Sequence, residues 1–295
     1  MTSISQYLDS LLDDKEKAFL CVGLDLVPQR IPPRLSYGDY MRQLIEQLDA
    51  ASALKFNFAF MERFFSHDGG LAAMLRSTKI NRPVTIADAK RCDVGHSAEH
   101  YAARIFDELQ FDAVTVSPYM GCDSLEPFLA RKGKLTFALA LTSNPGADDF
   151  QFHPYSSLDA ALKACREPGC DEPLFVRVVK KLYAHAQTLP GEIGFVAGAT
   201  RPEAVGLIRS LAPEAYLLIP GVGTQGGNVE DVIRQAQRRI LINVSRDVIY
   251  AYENDENIAR HNPEWNRDEG EWEAAAAAHK ARQYVQTMRS LISDT

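Results

Sequence analysis

PVTIADAKRCDVGHSAEHYAARIFDELQ, Pro83 to Gln110, changes character twice within a short span. An apolar, β-rich run closes on Asp88 and Lys90, and a segment with helical spacing begins near Ser97. The first part reads as a strand buried on both faces, the second as an amphipathic helix laid back across it. Charges gathered where such a strand ends and its helix has not yet begun mark the functional face of a parallel α/β barrel.

Seven further runs share the apolar character: AFLCVGLD (18–25), ALKFNFAF (53–60), AVTVSP (113–118), LTFALALTS (135–143), IGFVAGA (193–199), YLLIPGVG (216–223) and RILINVSR (239–246). Helically spaced segments separate them, among them YGDYMRQLIEQLDAA, LFVRVVKKLYAHAQ, RPEAVGLIRSLA and NVEDVIRQAQRR. A last helix is read in EWEAAAAAHKARQYVQTMRSLI, whose alanine run at 274–278 favours helix. Eight strand–helix alternations in 295 residues suit an α/β fold of the (β/α)8 TIM-barrel type, folded as a single domain over residues 1–295. A doubly wound open sheet is the alternative. One connection, Asn144 to about Pro173, is long, polar and rich in Pro, Gly and Asp, as lids often are.

The bulk composition narrows the function. At 46% hydrophobic residues the chain can bury a large core, and its net charge of −7 argues against a nucleic-acid binder, though one local basic pocket would still take a small anion. The five cysteines, Cys21, Cys92, Cys122, Cys165 and Cys170, form no CxxC pair, which fits a reducing cytoplasm. The segment MTSISQYLDSLLDDKEK carries acids where an export signal needs basic residues and an apolar centre, and no apolar run approaches membrane-spanning length. A cytoplasmic protein without membrane attachment is expected.

In a barrel the polar residues at strand ends should converge. Asp25 closes the first run, Lys55 lies in the second, Asp88 and Lys90 close the third, Ser143 the fifth and Arg246 the eighth. Asp88 and Lys90 are two apart, so on a strand both point to one side and can pair, with Lys55 joining from the adjacent strand. Asp93 falls beyond the strand, free to fold back on Lys90 or to reach a neighbouring subunit. Flanking carboxylates would hold the lysines protonated. The bland reading is a structural ion-pair network, but buried charge is costly enough to put function ahead of it.

A second constellation is PGVGTQGGN (220–228), whose glycines let backbone N–H groups approach an anion ahead of a helix N-terminus. Barrels often build a phosphate site from the loops after strands 7 and 8, where Arg246 could add a bidentate charge. A ligand carrying phosphate is expected, against the alternative of an unliganded turn. HSAEH (96–100) fits a zinc-peptidase pattern, but five residues arise easily by chance and no third ligand suggests itself. A solvated helix start, with Ser97 as N-cap, is the reading preferred here.

DAKRCDVGHSAEHYA resembles the D-x-K-x-x-D signature of the orotidine 5′-phosphate decarboxylases, and LCVGLD, LKFNFAF, LTSNPGADDFQ and PGVGTQGG resemble their other characteristic segments. The likeness runs through essentially the whole chain and is closest to the longer bacterial branch. It implies that Lys55, Asp88, Lys90 and Asp93 form a Lys-Asp-Lys-Asp tetrad in which Lys90 donates a proton to C6. It further implies that Asp25 binds ribose, Ser97 contacts the nucleotide in place of the usual threonine, Ser143 contacts the pyrimidine, and Gln225 and Arg246 hold the 5′-phosphate. Cys92 and Ser245 depart from the pattern, the latter standing where a glycine is usual.

The implied reaction converts orotidine 5′-monophosphate to uridine 5′-monophosphate and CO2 in pyrimidine biosynthesis, with no metal and no cofactor. The implied assembly is a homodimer in which Asp93 is shared across the two-fold. Two alternatives remain open at this point. One is a Mg2+-dependent sugar-phosphate decarboxylase or aldolase of the same superfamily, and the other a catalytically dead nucleotide-binding barrel.

Overall fold

The computed structural model describes residues 2–12, 14, 17–64, 82–222, 226–253 and 272–293. Eight parallel strands close on themselves in sequence order: β1 (Leu20–Gly23), β2 (Ala53–Asn57), β3 (Val84–Arg91), β4 (Ala113–Val116), β5 (Leu135–Leu141), β6 (Glu192–Ala197), β7 (Tyr216–Ile219) and β8 (Ile240–Val244). The seam is made by β8 on β1, where Cys21 pairs with Asn243. The helices begin with α1 (Ile4–Leu12), α2 (Tyr37–Gln47), α3 (Phe58–Phe64) and α4 (Gly95–Ala102), which runs on as a π-helical turn, Ala103–Glu108. They continue with α5 (Glu126–Leu129), α6 (Leu158–Ala164), α7 (Leu174–Ala186), α8 (Pro202–Leu211), α9 (Val229–Ala236), α10 (Arg246–Ile249) and α11 (Trp272–Ser293).

Because side chains alternate along a strand, every second residue enters the barrel. Near the N-terminal ends these are apolar: Ala53, Ile86, Ala113 and Leu241 are fully buried in one cluster with Phe137 and Tyr216. Two residues further along the same four strands come Lys55, Asp88, Thr115 and Asn243, all buried and all polar. The barrel is thus dry at one end and charged at the other. Leu8 and Leu11 of α1 belong to the apolar cluster, and that helix plugs the dry end. Its Tyr7 hydroxyl donates to the Arg82 carbonyl, and Asp9 accepts from Tyr216.

Three expectations need correction. The apolar run 53–60 is not all strand, since α3 starts at Phe58 and the Asn57 side chain accepts from the Ala59 N–H. Ser97 does not cap its helix: α4 starts at Gly95, with Val94 at the N-cap and no side-chain cap bond, so Ser97 lies inside the first turn. Residues 144–173 are not merely a loop, because they contain a 3-10 turn, Pro145–Asp149, and helix α6 capped by Ser157. That segment is pinned to the barrel. Gln151 accepts from the Thr142 N–H and donates to its hydroxyl, and Arg201 bonds Asp148 while stacking over Phe152. Among the described residues, no helix is long and apolar enough to cross a membrane.

Candidate active site

At the charged end the strand tips surround a cavity of about 450 Å³. Asp25, Lys55, Asp88, Lys90, Ser143 and Arg246 all line it. Asp93 and Ser97 are not among its lining residues, and the Asp93 carboxylate accepts the N–H of Val94 instead. Gln225 lies outside the described residues.

The centre of the site is a chain of charges. Lys55 Nζ donates to Asp88 Oδ2 at 2.7 Å, Lys90 Nζ donates to Asp88 Oδ1 at 2.6 Å, and Asp25 stands 3.6 Å from Lys55. Burial alone would push the Asp88 carboxyl up, but Lys55 and Lys90 together hold it well below the usual carboxylate range. Burial likewise works against the Lys55 ammonium, yet Asp25 and Asp88 outweigh it and raise its pKa above the usual lysine value. Both charges are therefore locked on at neutral pH. Beneath them burial pushes the Cys21 thiol up to about 12, so it stays neutral.

Simple strand alternation does not account for how Lys90 reaches Asp88. The β3–β4 register shifts between Ala87 and Arg91, and Lys90 takes a left-handed backbone with φ +46°. Such a bulge re-aims a side chain, and here it leaves the Lys90 side chain 50% exposed to the cavity while Asp88 remains 8% exposed. Thr115, on β4, completes the arrangement by donating to Asp88 Oδ1 at 2.8 Å. Sequence reading passed over Thr115, and the available signal was a lone polar residue inside an apolar strand.

On the opposite wall, Gly221 (φ +98°) turns the chain after β7 into the glycine-rich segment. Arg246 opens α10, and the next residue, Asp247, is tied to α11 by the Tyr284 hydroxyl at 2.6 Å and by Lys280 at 3.5 Å. Ser245 is accommodated because residue 23 is glycine: a Cβ there would fall 2.0 Å from the Ser245 hydroxyl. His96 and His100 meet edge to face on α4, and Glu99 between them pairs with Arg131. Among the described residues, no group of three or more His, Cys, Asp or Glu side chains is disposed to hold a metal ion.

Residues 18–261 match the model of the Orotidine 5′-phosphate decarboxylase / HUMPS family. The chain belongs to this family. The orotidine 5′-phosphate decarboxylase of Porphyromonas gingivalis is 38% identical over 257 residues, which span 83% of this chain and 87% of that protein. That of Herpetosiphon aurantiacus is 41% identical over 242 residues, 80% of this chain and 85% of the other. Among solved structures, the Leishmania donovani OMP decarboxylase superposes with a TM-score of 0.72 at 28% identity, covering 97% of this chain and 98% of that one.

Proposed function

We propose that the chain decarboxylates orotidine 5′-monophosphate to uridine 5′-monophosphate and CO2 in pyrimidine biosynthesis. The observation that carries this reading is the Lys55–Asp88–Lys90 chain of charges lining the cavity, in a member of this family. Loss of CO2 from C6 leaves an electron pair with little resonance relief, so the site must stabilise negative charge directly. A fixed ammonium does that, and Lys90 is the more exposed of the two lysines that line the cavity. It holds the developing carbanion and then delivers its proton to C6.

Asp88 holds the Lys90 side chain in place before substrate arrives, through the 2.6 Å contact to its Oδ1. Its carboxylate then lies near the carboxylate that departs, where repulsion favours loss of CO2. Asp25 takes the ribose, Ser143 the pyrimidine, and Arg246 with Gln225 the phosphate. The phosphate is remote from the breaking bond, so its binding energy serves to organise the site around the base. None of these steps routes through a metal or an organic cofactor.

We assign Asp93 and Ser97 to the site of a second copy, in a homodimer with shared active sites. Supporting this, exposed apolar side chains follow β3 and β4 at the same end of the barrel: Val94 is 53% exposed, Tyr119 86% and Met120 45%. The free state of the cysteines agrees with a cytoplasmic enzyme.

The test is the ultraviolet absorbance of orotidine 5′-monophosphate mixed with the purified protein, with and without EDTA. Conversion to the uridine 5′-monophosphate spectrum in both samples is expected. Folded protein that leaves the spectrum unchanged, yet turns over a sugar phosphate when Mg2+ is added, would move the chain to the metal-dependent branch of its family.

A further inference from the structure

The two oxygens of Asp88 are not equivalently held. Oδ2 receives Lys55, whereas Oδ1 receives both Lys90 Nζ at 2.6 Å and the Thr115 hydroxyl at 2.8 Å. The same Thr115 oxygen accepts the backbone N–H of Lys90 at 3.1 Å. One hydroxyl, 1% exposed, therefore touches the side chain of the aspartate and the main chain of the lysine. Both contacts fall where they are needed. The register shift at Ala87–Arg91 interrupts the β3–β4 pairing beside Lys90, and Lys90 sits in a left-handed conformation that residues with a Cβ seldom adopt.

On the decarboxylation reading, the Lys90 ammonium must leave Asp88 Oδ1 and turn to C6. At that moment Oδ1 loses one of its two donors, and the backbone that carries Lys90 has to stay put. We infer that Thr115 is a positioning residue for this reaction: its hydroxyl fixes the Lys90 backbone in the bulge and keeps Asp88 hydrogen-bonded while the ammonium moves to the substrate. The serine hydroxyl can make the same two contacts, whereas valine keeps the shape and makes neither. The inference rests on the reading of the preceding section, and deepens it.

The experiment measures kcat and KM for orotidine 5′-monophosphate, affinity for uridine 5′-monophosphate and melting temperature in wild type, Thr115→Val, Thr115→Ala and Thr115→Ser. Misplacing a reacting group by about an ångström is worth roughly 100-fold in rate. Thr115→Val is accordingly expected to lose about 10- to 100-fold in kcat, with KM and product affinity within about threefold of wild type. Thr115→Ser is expected to restore kcat to within about threefold. If the valine variant does not fold, the alanine variant is judged by the same criteria.

Near-normal kcat in a folded valine or alanine variant overturns the inference. So does a serine variant as slow as valine, a loss carried by KM and product affinity, or failure of both valine and alanine variants to fold, which would mark Thr115 as structural. Wild-type protein that leaves the substrate unchanged overturns the parent reading as well, so the two failures are told apart by the wild-type control.

Discussion

Two buried carboxylates, one at each end of the barrel, are held by nearly the same ingredients to opposite effect. Asp112, just ahead of β4, accepts both guanidinium nitrogens of Arg82 at 2.5 and 2.8 Å and the N–H of Thr85 at 2.9 Å. The Thr85 hydroxyl donates to Asp112 Oδ2 and accepts the Asp112 N–H, much as Thr115 serves Asp88 and Lys90. The cations make the difference. A guanidinium fork grips a carboxylate in two places and has no reason to let go, whereas an ammonium is a single point of charge on a flexible stem. At the dry end the carboxylate ties strands together; at the cavity end, with Lys90 half exposed, the pair can open. The fold therefore separates a fixed ion pair from an exchangeable one by the length of its strands.

The contrast breaks most visibly at the exchangeable end. Lys90→Ala is expected to lower kcat by at least about 1,000-fold, because on the proposed reading it removes the ammonium that stabilises and then protonates C6. Its affinity for uridine 5′-monophosphate, read by calorimetry, should change far less. Near-normal turnover in this variant would remove the role given to Lys90. At the fixed end the expectation reverses. Asp112→Asn leaves a part-buried guanidinium without its counter-charge and should cost about 2–3 kcal/mol of stability in urea unfolding. Its kcat should stay within about twofold of wild type, and a variant that kept its stability but lost activity would show that the dry end is more than scaffold.

The same contrast explains what the sequence disclosed. The strands were legible because a strand buried on both faces is apolar throughout, and Asp25, Lys55, Asp88, Lys90, Ser143 and Arg246 stood out because charge and polarity at such strand ends need a reason. Thr115 did not stand out, because threonine is an ordinary β-former and its importance comes from a register shift that no single residue announces. Ser97 was misplaced because the N-cap is fixed by where the chain turns, and it turns at Val94. The plug helix carries its apolar spacing openly in Ile4, Leu8 and Leu11, but such spacing does not say which surface the helix covers. Within KFNFAF no period distinguishes the end of β2 from the start of α3, so only the structure could divide it.

The smallest effect concerns whether the exchangeable pair is firm at rest. Asp88 binds a proton less readily in the folded protein than in the unfolded chain, since Lys55 and Lys90 outweigh the effect of its burial. Its ionisation therefore contributes stability that is complete above the ordinary aspartate pKa of about 3.9 and is lost as pH falls toward the lower folded value. Lys55 runs the other way. Raised by Asp25 and Asp88 against its own burial, it contributes stability below the ordinary lysine pKa of about 10.4, lost only as pH rises through a still higher value. Between about pH 5 and pH 9 neither group titrates, so the stability difference between wild type and Asp88→Asn should be flat there. Below about pH 4 it should shift in favour of the variant. A difference drifting by more than about 0.5 kcal/mol between pH 5 and pH 9 would mean that Asp88 takes up a proton in that range. The resting Asp88–Lys90 pair would then be looser than its 2.6 Å contact implies, and Asp112 would be the only one of the two carboxylates held firmly.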